Sequence, residues 1–403
     1  MSSIVSRQTF DEVMVPNYSP SSVIPVRGEG VNLWDEQGNQ YLDLAAGIAV
    51  NAVGHCHPKV VSALKEQADK LWHLSNVYTN QPILELAQKM IDATFADKVF
   101  FANSGGEANE AAFKLARKYA SDNFGPEKNE IIAFNNAFHG RTLFTVSVGG
   151  QPKYTQGYEP IPGGITHLEF NNLEQLSAQI SDKTCAVVLE PIQGEGGILP
   201  CTAAFMLKVR ELCDKHHALM VLDEVQTGVG RTGKLYAYMH YPIIPDILTT
   251  AKALGGGFPI GAMLTTDKIS KSMGIGSHGS TYGGNALAGA VAGAVWDIIN
   301  DETVLNNVTK HGQLLRDLLQ EINQKYQVFD EIRGQGLMLG CALTEKWLGK
   351  AKEFMNAGIE EHVMFLIAGP NTLRLVPSLL ISEAEIIESM KRFEKAIGKV
   401  VAA

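Results

Sequence analysis

The chain has 403 residues, 45% of them apolar and 19% charged, with a formal net charge of −9. That balance describes a soluble globular protein of two or three domains. An acidic total with no block of Lys or Arg argues against nucleic acid or anionic membrane as a partner, although a few arginines held together can still bind an anionic substrate.

The start, Met1–Arg7, has no stretch resembling a signal peptide, and no apolar run reaches the roughly eighteen residues of a membrane span. Cys56, Cys185, Cys201, Cys213 and Cys341 are scattered and form no CxxC pair, which fits reduced thiols in the cytoplasm. His55-Cys56-His57 sits on one short loop, and no distant Cys/His cluster completes a tetrahedral set, so no metal site is expected.

In chain order, residues 1–54 read as short strands and turns, with Gly28-Glu29-Gly30, Asp35–Asn39 and Tyr41–Leu44 as landmarks. Residues 55–287 alternate β-branched or apolar runs with amphipathic stretches. The expected strands are Lys98–Ala102, Ile131–Phe134, Cys185–Leu189, Leu219–Asp223, Ile247–Thr250 and Gly261–Thr265. Glu107–Ser121 and Ala203–His217 carry apolar residues three and four apart, as helices do. This alternation implies an α/β domain with a mainly parallel sheet covered by helices on both faces. Residues 288–403 read as long helices (Ala288–Ile299, Val304–Tyr326, Glu383–Val401) around strands near Ile332–Leu343 and Thr372–Val376. They form a smaller α+β domain that the first 54 residues join.

Ligands of open parallel sheets sit beyond the carboxyl ends of the strands, and the site candidates fall there. After Ala102 comes Asn103-Ser104-Gly105-Gly106-Glu107, opening a helix. It is either a phosphate cradle of backbone N–H groups or a capping box between Ser104 and Glu107, and it can be both. After Phe134 comes Phe138-His139-Gly140-Arg141, with a ring able to stack on a flat coenzyme and an arginine able to clamp a carboxylate. The alternative there is an ordinary turn. After Leu189, Glu195 lies in a glycine-rich loop, either as a partner for an arginine or simply solvated.

Gly228–Lys234 imitates both a dinucleotide fingerprint and a phosphate loop, and a nucleotide-binding protein is the competing reading. Leu235 replaces the magnesium-binding hydroxyl, however, and Pro242 and Pro245 follow too soon for the helix that either motif needs. Lys252, ahead of Gly255-Gly256-Gly257, pairs with Asp223 at the end of an earlier strand. A lysine that can hold an aldehyde and an acid that can keep a pyridine nitrogen protonated are the two groups a pyridoxal enzyme requires. Gly276–Asn285, rich in glycines and hydroxyls, is a further phosphate contact or a connector.

The run Asp223-Glu224-Val225-Gln226-Thr227-Gly228-Val229-Gly230-Arg231-Thr232-Gly233, followed by Lys252-Ala253-Leu254-Gly255-Gly256-Gly257, resembles the class III aminotransferases of pyridoxal fold type I. So do Gly47–Ala52, Gly54–Pro58, Phe138–Arg141 and Ser280–Asn285, over nearly the whole chain. The resemblance implies a seven-stranded, mainly parallel sheet, pyridoxal 5'-phosphate as coenzyme, and a homodimer with shared active sites. It implies that Lys252 holds the coenzyme as a Schiff base and moves the proton, and that Asp223 faces the ring nitrogen. Val225, Gln226 and Phe138 would lie against the ring. Ser104, Gly105 and Gly106 would cradle the phosphate, helped by Thr281 from the partner subunit. Arg141 and Ser280 would take the α-carboxylate of an N-acylated donor, and Arg374 that of glutamate or 2-oxoglutarate, masked in turn by Glu195.

Within the class, the group acting on N2-acetylornithine and N-succinyl-diaminopimelate is most similar, with an arginine-biosynthetic role expected and succinylornithine breakdown as the alternative. Gly106 departs from the Thr or Ala that relatives usually carry.

Overall fold

A computed structural model describes residues 6–403, so the first five positions of the expected N-terminal segment lie outside it. The centre is a seven-stranded sheet in the order Lys98–Ala102, Gly261–Thr265, Ile247–Thr250, Leu219–Asp223, Thr184–Leu189, Glu130–Phe134, Ile165–Leu168. Neighbours pair in parallel from Ile247–Thr250 to Ile165–Leu168. Gly261–Thr265 runs antiparallel to both of its neighbours.

These strands form where apolar residues run without a break, because both faces of the sheet are covered. Along Leu219–Asp223, Met220 and Leu222 enter one hydrophobic cluster while Leu219 and Val221 enter the other. Ile131 and Ala133 likewise face one cluster, Ile132 and Phe134 the other. Six of the seven strands were expected. The seventh, Ile165–Leu168, is an edge strand whose Thr166 and His167 interrupt the apolar run, so nothing in its composition marks it.

Helix boundaries follow their caps. Gly105–Phe124 begins where the Ser104 hydroxyl accepts the Glu107 N–H at 3.2 Å. The Glu107 carboxylate reaches one residue further back than a capping box requires and takes the Asn103 N–H at 2.5 Å. The last helix, Glu383–Ala402, has the reciprocal box between Ser382 and Glu385.

Both ends of the chain meet in one small sheet. Pro25–Glu29, Asn32–Asp35 and Gln40–Asp43 are antiparallel, and Val363–Met364 adds in parallel to Gln40–Asp43. A second antiparallel sheet joins Phe329–Gln335, Met338–Leu343, Thr372–Leu375 and Leu366–Ile367, and it carries Arg374. No described helix is long and apolar enough to cross a membrane. The five cysteines are all unpaired, with only Cys56 exposed.

Candidate active site

A cavity of about 300 Å3 opens at the carboxyl ends of the central strands and is lined by Ser104, Gly105, Gly106, Phe138, Asp223, Val225, Gln226 and Lys252, among others. At one end stands the N-terminus of the 20-residue helix Gly105–Phe124, whose unpaired N–H groups and dipole favour an anion. Gly105 allows close packing, since a Cβ there would lie 2.8 Å from the Val225 side chain and force it to shift. At Gly106 a Cβ would meet nothing nearer than 3.8 Å, so packing does not demand the departure seen at this position.

Asp223, at the end of its strand, is almost fully buried and held by three donors. Its Oδ2 accepts the Asn109 amide at 2.7 Å and His139 Nδ1 at 2.8 Å, and its Oδ1 accepts the Val225 N–H at 3.0 Å. Asn109 is fixed in turn by the Thr249 hydroxyl at 2.6 Å and by its own bond to the His139 carbonyl at 2.8 Å. Burial alone would lower the His139 imidazole, but the hydrogen bond and charge of Asp223, with the charge of Glu190, outweigh it and raise its pKa. His139 and Asp223 thus form a buried pair whose hydrogen bond favours the charged form of the imidazole. His139, Asn109, Thr249 and Glu190 escaped the sequence reading. His139 stood in a motif that drew attention to its neighbours, and the other three carry no local signal.

Lys252 follows the strand Ile247–Thr250 with φ +44, a left-handed backbone that a lysine rarely adopts. Burial pulls its amine below the ordinary lysine range, which favours the neutral nucleophile. A second strained stretch, with Ala46, Ile48 and Ala49 all at positive φ, leads into Val50 on the cavity wall. Phe138 covers another part of the wall, its N–H donated to Glu190 Oε1 at 3.0 Å. The other oxygen of Glu190 takes the Gly194 N–H at 3.0 Å. Burial raises the Glu190 carboxyl.

Arg374 meets Glu195 at 2.6 Å and Gln226 at 3.3 Å, and its side chain is only 2% exposed. Glu195 lies on the loop of a short hairpin between Ile192–Gln193 and Leu199–Pro200, so a two-stranded ribbon presents it to Arg374. Burial would raise the Glu195 carboxyl, but the Arg374 charge and hydrogen bond outweigh it and hold it low, with Lys252 and Lys153 adding to the effect. The pair is therefore ionic. Arg374 Nε is buried without a partner, so the guanidinium retains donor capacity for another carboxylate.

Five expected residues are not on the wall of this cavity: Arg374, with Glu195, adjoins it through Gln226, and Arg141, Ser280 and Thr281 stand apart. Arg141 is exposed, with its guanidinium over the Tyr154 ring. Ser280 and Thr281 line a separate cavity of about 290 Å3 with Asn103 and Glu107. The Ser280 hydroxyl accepts the Asn103 amide at 3.2 Å. Gly228–Lys234 is buried but for Lys234, and no part of it reaches the cavity wall.

The donor set fits a flat, phosphate-bearing pyridinium. A helix N-terminus with Ser104 suits the phosphate, a buried carboxylate without a lysine or arginine partner suits the ring nitrogen, Phe138 and Val225 suit the ring, and Lys252 suits the aldehyde carbon. Fold and site together define a pyridoxal-phosphate-dependent transferase of fold type I. Residues 13–397 match the family model for class III aminotransferases. The chain is 60% identical to the acetylornithine aminotransferase of Shewanella oneidensis, covering 99% of this chain and 98% of that one. It is 59% identical to the succinylornithine transaminase/acetylornithine aminotransferase of Pseudomonas aeruginosa, with 98% of each covered. The crystal structure of N-acetylornithine aminotransferase from Stenotrophomonas maltophilia superposes with a TM-score of 0.86 at 42% identity, over 98% of this chain and 99% of that one. The chain belongs to the class III aminotransferases.

Proposed function

We propose that the chain transfers the terminal amino group of N2-acetyl-L-ornithine to 2-oxoglutarate, giving the semialdehyde and L-glutamate in arginine biosynthesis, with N-succinyl-LL-2,6-diaminopimelate as a second donor. The observation that carries this reading is the Arg374–Glu195 pair beside Lys252. One site must admit a donor that presents a terminal amine, then an acceptor that presents an α-carboxylate. With Glu195 on Arg374 the positive charge is hidden and the donor's neutral alkyl chain fits. When Glu195 moves away, Arg374 is free to clamp a carboxylate in two-point fashion.

The coenzyme supplies an electron sink for the carbon that loses its proton. Asp223, backed by His139, would face the ring nitrogen and favour the positive charge there that makes the sink effective. The Lys252 amine, whose pKa burial lowers, would hold the coenzyme's aldehyde carbon and would move the proton between donor carbon and coenzyme. Ser104, Gly105, Gly106 and the helix N-terminus anchor the phosphate, while Phe138, Val225 and Gln226 fix the ring. Arg141 takes the α-carboxylate of the acylated donor, with Ser280 alongside.

We read the working unit as a homodimer in which the partner's Thr281 completes the phosphate site. Support comes from an exposed aromatic surface beside it. Trp72, Tyr78 and Tyr282 are 64%, 70% and 62% exposed, and Asn76 ties the two segments together by donating to the Ser280 and Gly283 carbonyls. The unpaired cysteines support the cytoplasm as its compartment. Residues 55–287 form the coenzyme domain in this reading, and 1–54 with 288–403 the small domain, as the pairing of Val363–Met364 with Gln40–Asp43 supports.

The test is to mix the holoprotein with N2-acetylornithine and no keto acid while recording the coenzyme's visible absorption. The band is expected to disappear and to return on adding 2-oxoglutarate. A band untouched by acetylornithine but lost with succinylornithine would move the chain to the catabolic branch. Replacing Arg141 by Ala is expected to lower the rate constant of the donor half-reaction per molar donor by about a hundredfold, and that of the glutamate half-reaction by far less. Equal losses in the two half-reactions would contradict its role.

A further inference from the structure

At the mouth of the site two cations share one aromatic ring. The Arg141 guanidinium carbon lies 3.7 Å from the centre of the Tyr154 ring, and Lys153 Nζ lies 4.7 Å from the same centre. Tyr154 packs edge-on against Phe138, at 6.3 Å between centres, and Phe138 lines the main cavity. The turn that carries both residues, Pro152–Tyr154, is held to this wall because the preceding Gln151 amide donates to the Ala137 carbonyl at 2.9 Å. Lys153 is also close enough to Glu195 to help hold that carboxyl low.

Among the described residues neither Arg141 nor Lys153 has an acidic group within 4.0 Å, although acidic residues outnumber basic ones in this chain. Most exposed lysines gain little from a partner. Here, however, two like charges are held at one ring, and their repulsion is relieved when anionic groups bind between or beside them. A donor with a neutral acyl group brings one carboxylate to this mouth, and Arg141 alone suffices for it. An N-succinyl donor brings two, separated by a few bonds along the acyl arm.

We infer that Lys153 recognises the distal carboxylate of an N-succinyl donor, so that Arg141 and Lys153 together read an N-acyl dicarboxylate. The inference rests on the acyl-donor reading above and adds to it a residue that ranks the acyl groups. Lys153 acts here as a specificity determinant and touches none of the reacting atoms.

Binding without chemistry tests it. N2-succinyl-L-norvaline and N2-acetyl-L-norvaline keep the donor's α-carboxylate and acyl group but lack the terminal amine, so calorimetry with the holoenzyme reports affinity alone. Lys153→Gln is expected to lower the succinyl-to-acetyl affinity ratio about tenfold, the scale of one charge-assisted hydrogen bond. Lys153→Arg is expected to keep most of that ratio, and raising the salt to shrink it in the wild type. The kcat/KM ratio for succinylornithine over acetylornithine is expected to fall in parallel. A ratio unchanged in Lys153→Gln, or equal losses for the two analogues, would overturn the assignment while leaving the acyl-donor reading intact. A wild-type protein that binds neither analogue and reacts with neither donor would overturn both.

Discussion

Lys252→Ala is expected to lower steady-state turnover by about ten-thousandfold or more, while the protein remains folded. The reason lies in three features of this one side chain. It sits on the wall of the main cavity, burial lowers its pKa, and its own backbone has the left-handed φ of +44 just beyond a central strand. Among the described residues no other lysine lines the cavity, so no neighbour can take over the nucleophile and proton-carrier roles proposed for Lys252. General acid–base transfer by a positioned group is worth up to about ten-thousandfold, and loss of the covalent link adds to that. The variant should still bind the coenzyme through Ser104, Asp223 and the helix N-terminus, with an absorption band shifted from that of the wild type. Partial rescue by a small external amine would locate the loss in proton transfer. Activity within tenfold of wild type would remove Lys252 from the mechanism.

Replacing Asp223 by Ala is expected to lower kcat by about a thousandfold, the scale seen when one preorganised electrostatic partner is lost from a dry site. Two things fail at once. The carboxylate proposed to face the ring nitrogen disappears, and His139 loses the hydrogen bond and charge that hold its pKa up. The Asn109 amide also loses one of its acceptors. Asp223→Glu, which restores the charge at a different reach, is expected to recover part of the rate. His139→Asn, which leaves the carboxylate in place, is expected to lose less than Asp223→Ala. A kcat for Asp223→Ala within tenfold of wild type would rule out a protonated ring nitrogen maintained by this pair.

Gly106 brings no side-chain donor to the helix N-terminus. Its missing hydroxyl leaves the Ser104 side chain and the helix N–H groups in place, and the surroundings have room for a Cβ. Ser104 illustrates why two sequence readings of one segment need not compete. Its hydroxyl caps the helix, and the same cap positions the N–H groups that face the cavity.

The sequence by itself determined the strands that carry the site, because strands buried on both faces are apolar without interruption and end abruptly in polar or glycine residues. Leu219–Asp223 and Ile247–Thr250 were legible for that reason, and with them Asp223 and the approach to Lys252. Caps made the helix at Gly105 legible too. Glu195 was legible as a loop carboxylate able to meet an arginine, but Arg374 and its pairing with Glu195 were named only through family resemblance, since no local pattern links residues 179 positions apart. Tertiary structure alone decided the rest: the antiparallel insertion of Gly261–Thr265 between Lys98–Ala102 and Ile247–Thr250, and the meetings of His139 with Asp223 and of Asn109 with Thr249, 84 and 140 positions apart. It also decided the two cations gathered on Tyr154. Periodicity reports which face of an element is buried. Which side chains meet across that face depends on strand order and on where each strand stops, and those are settled only when the sheet closes around its core.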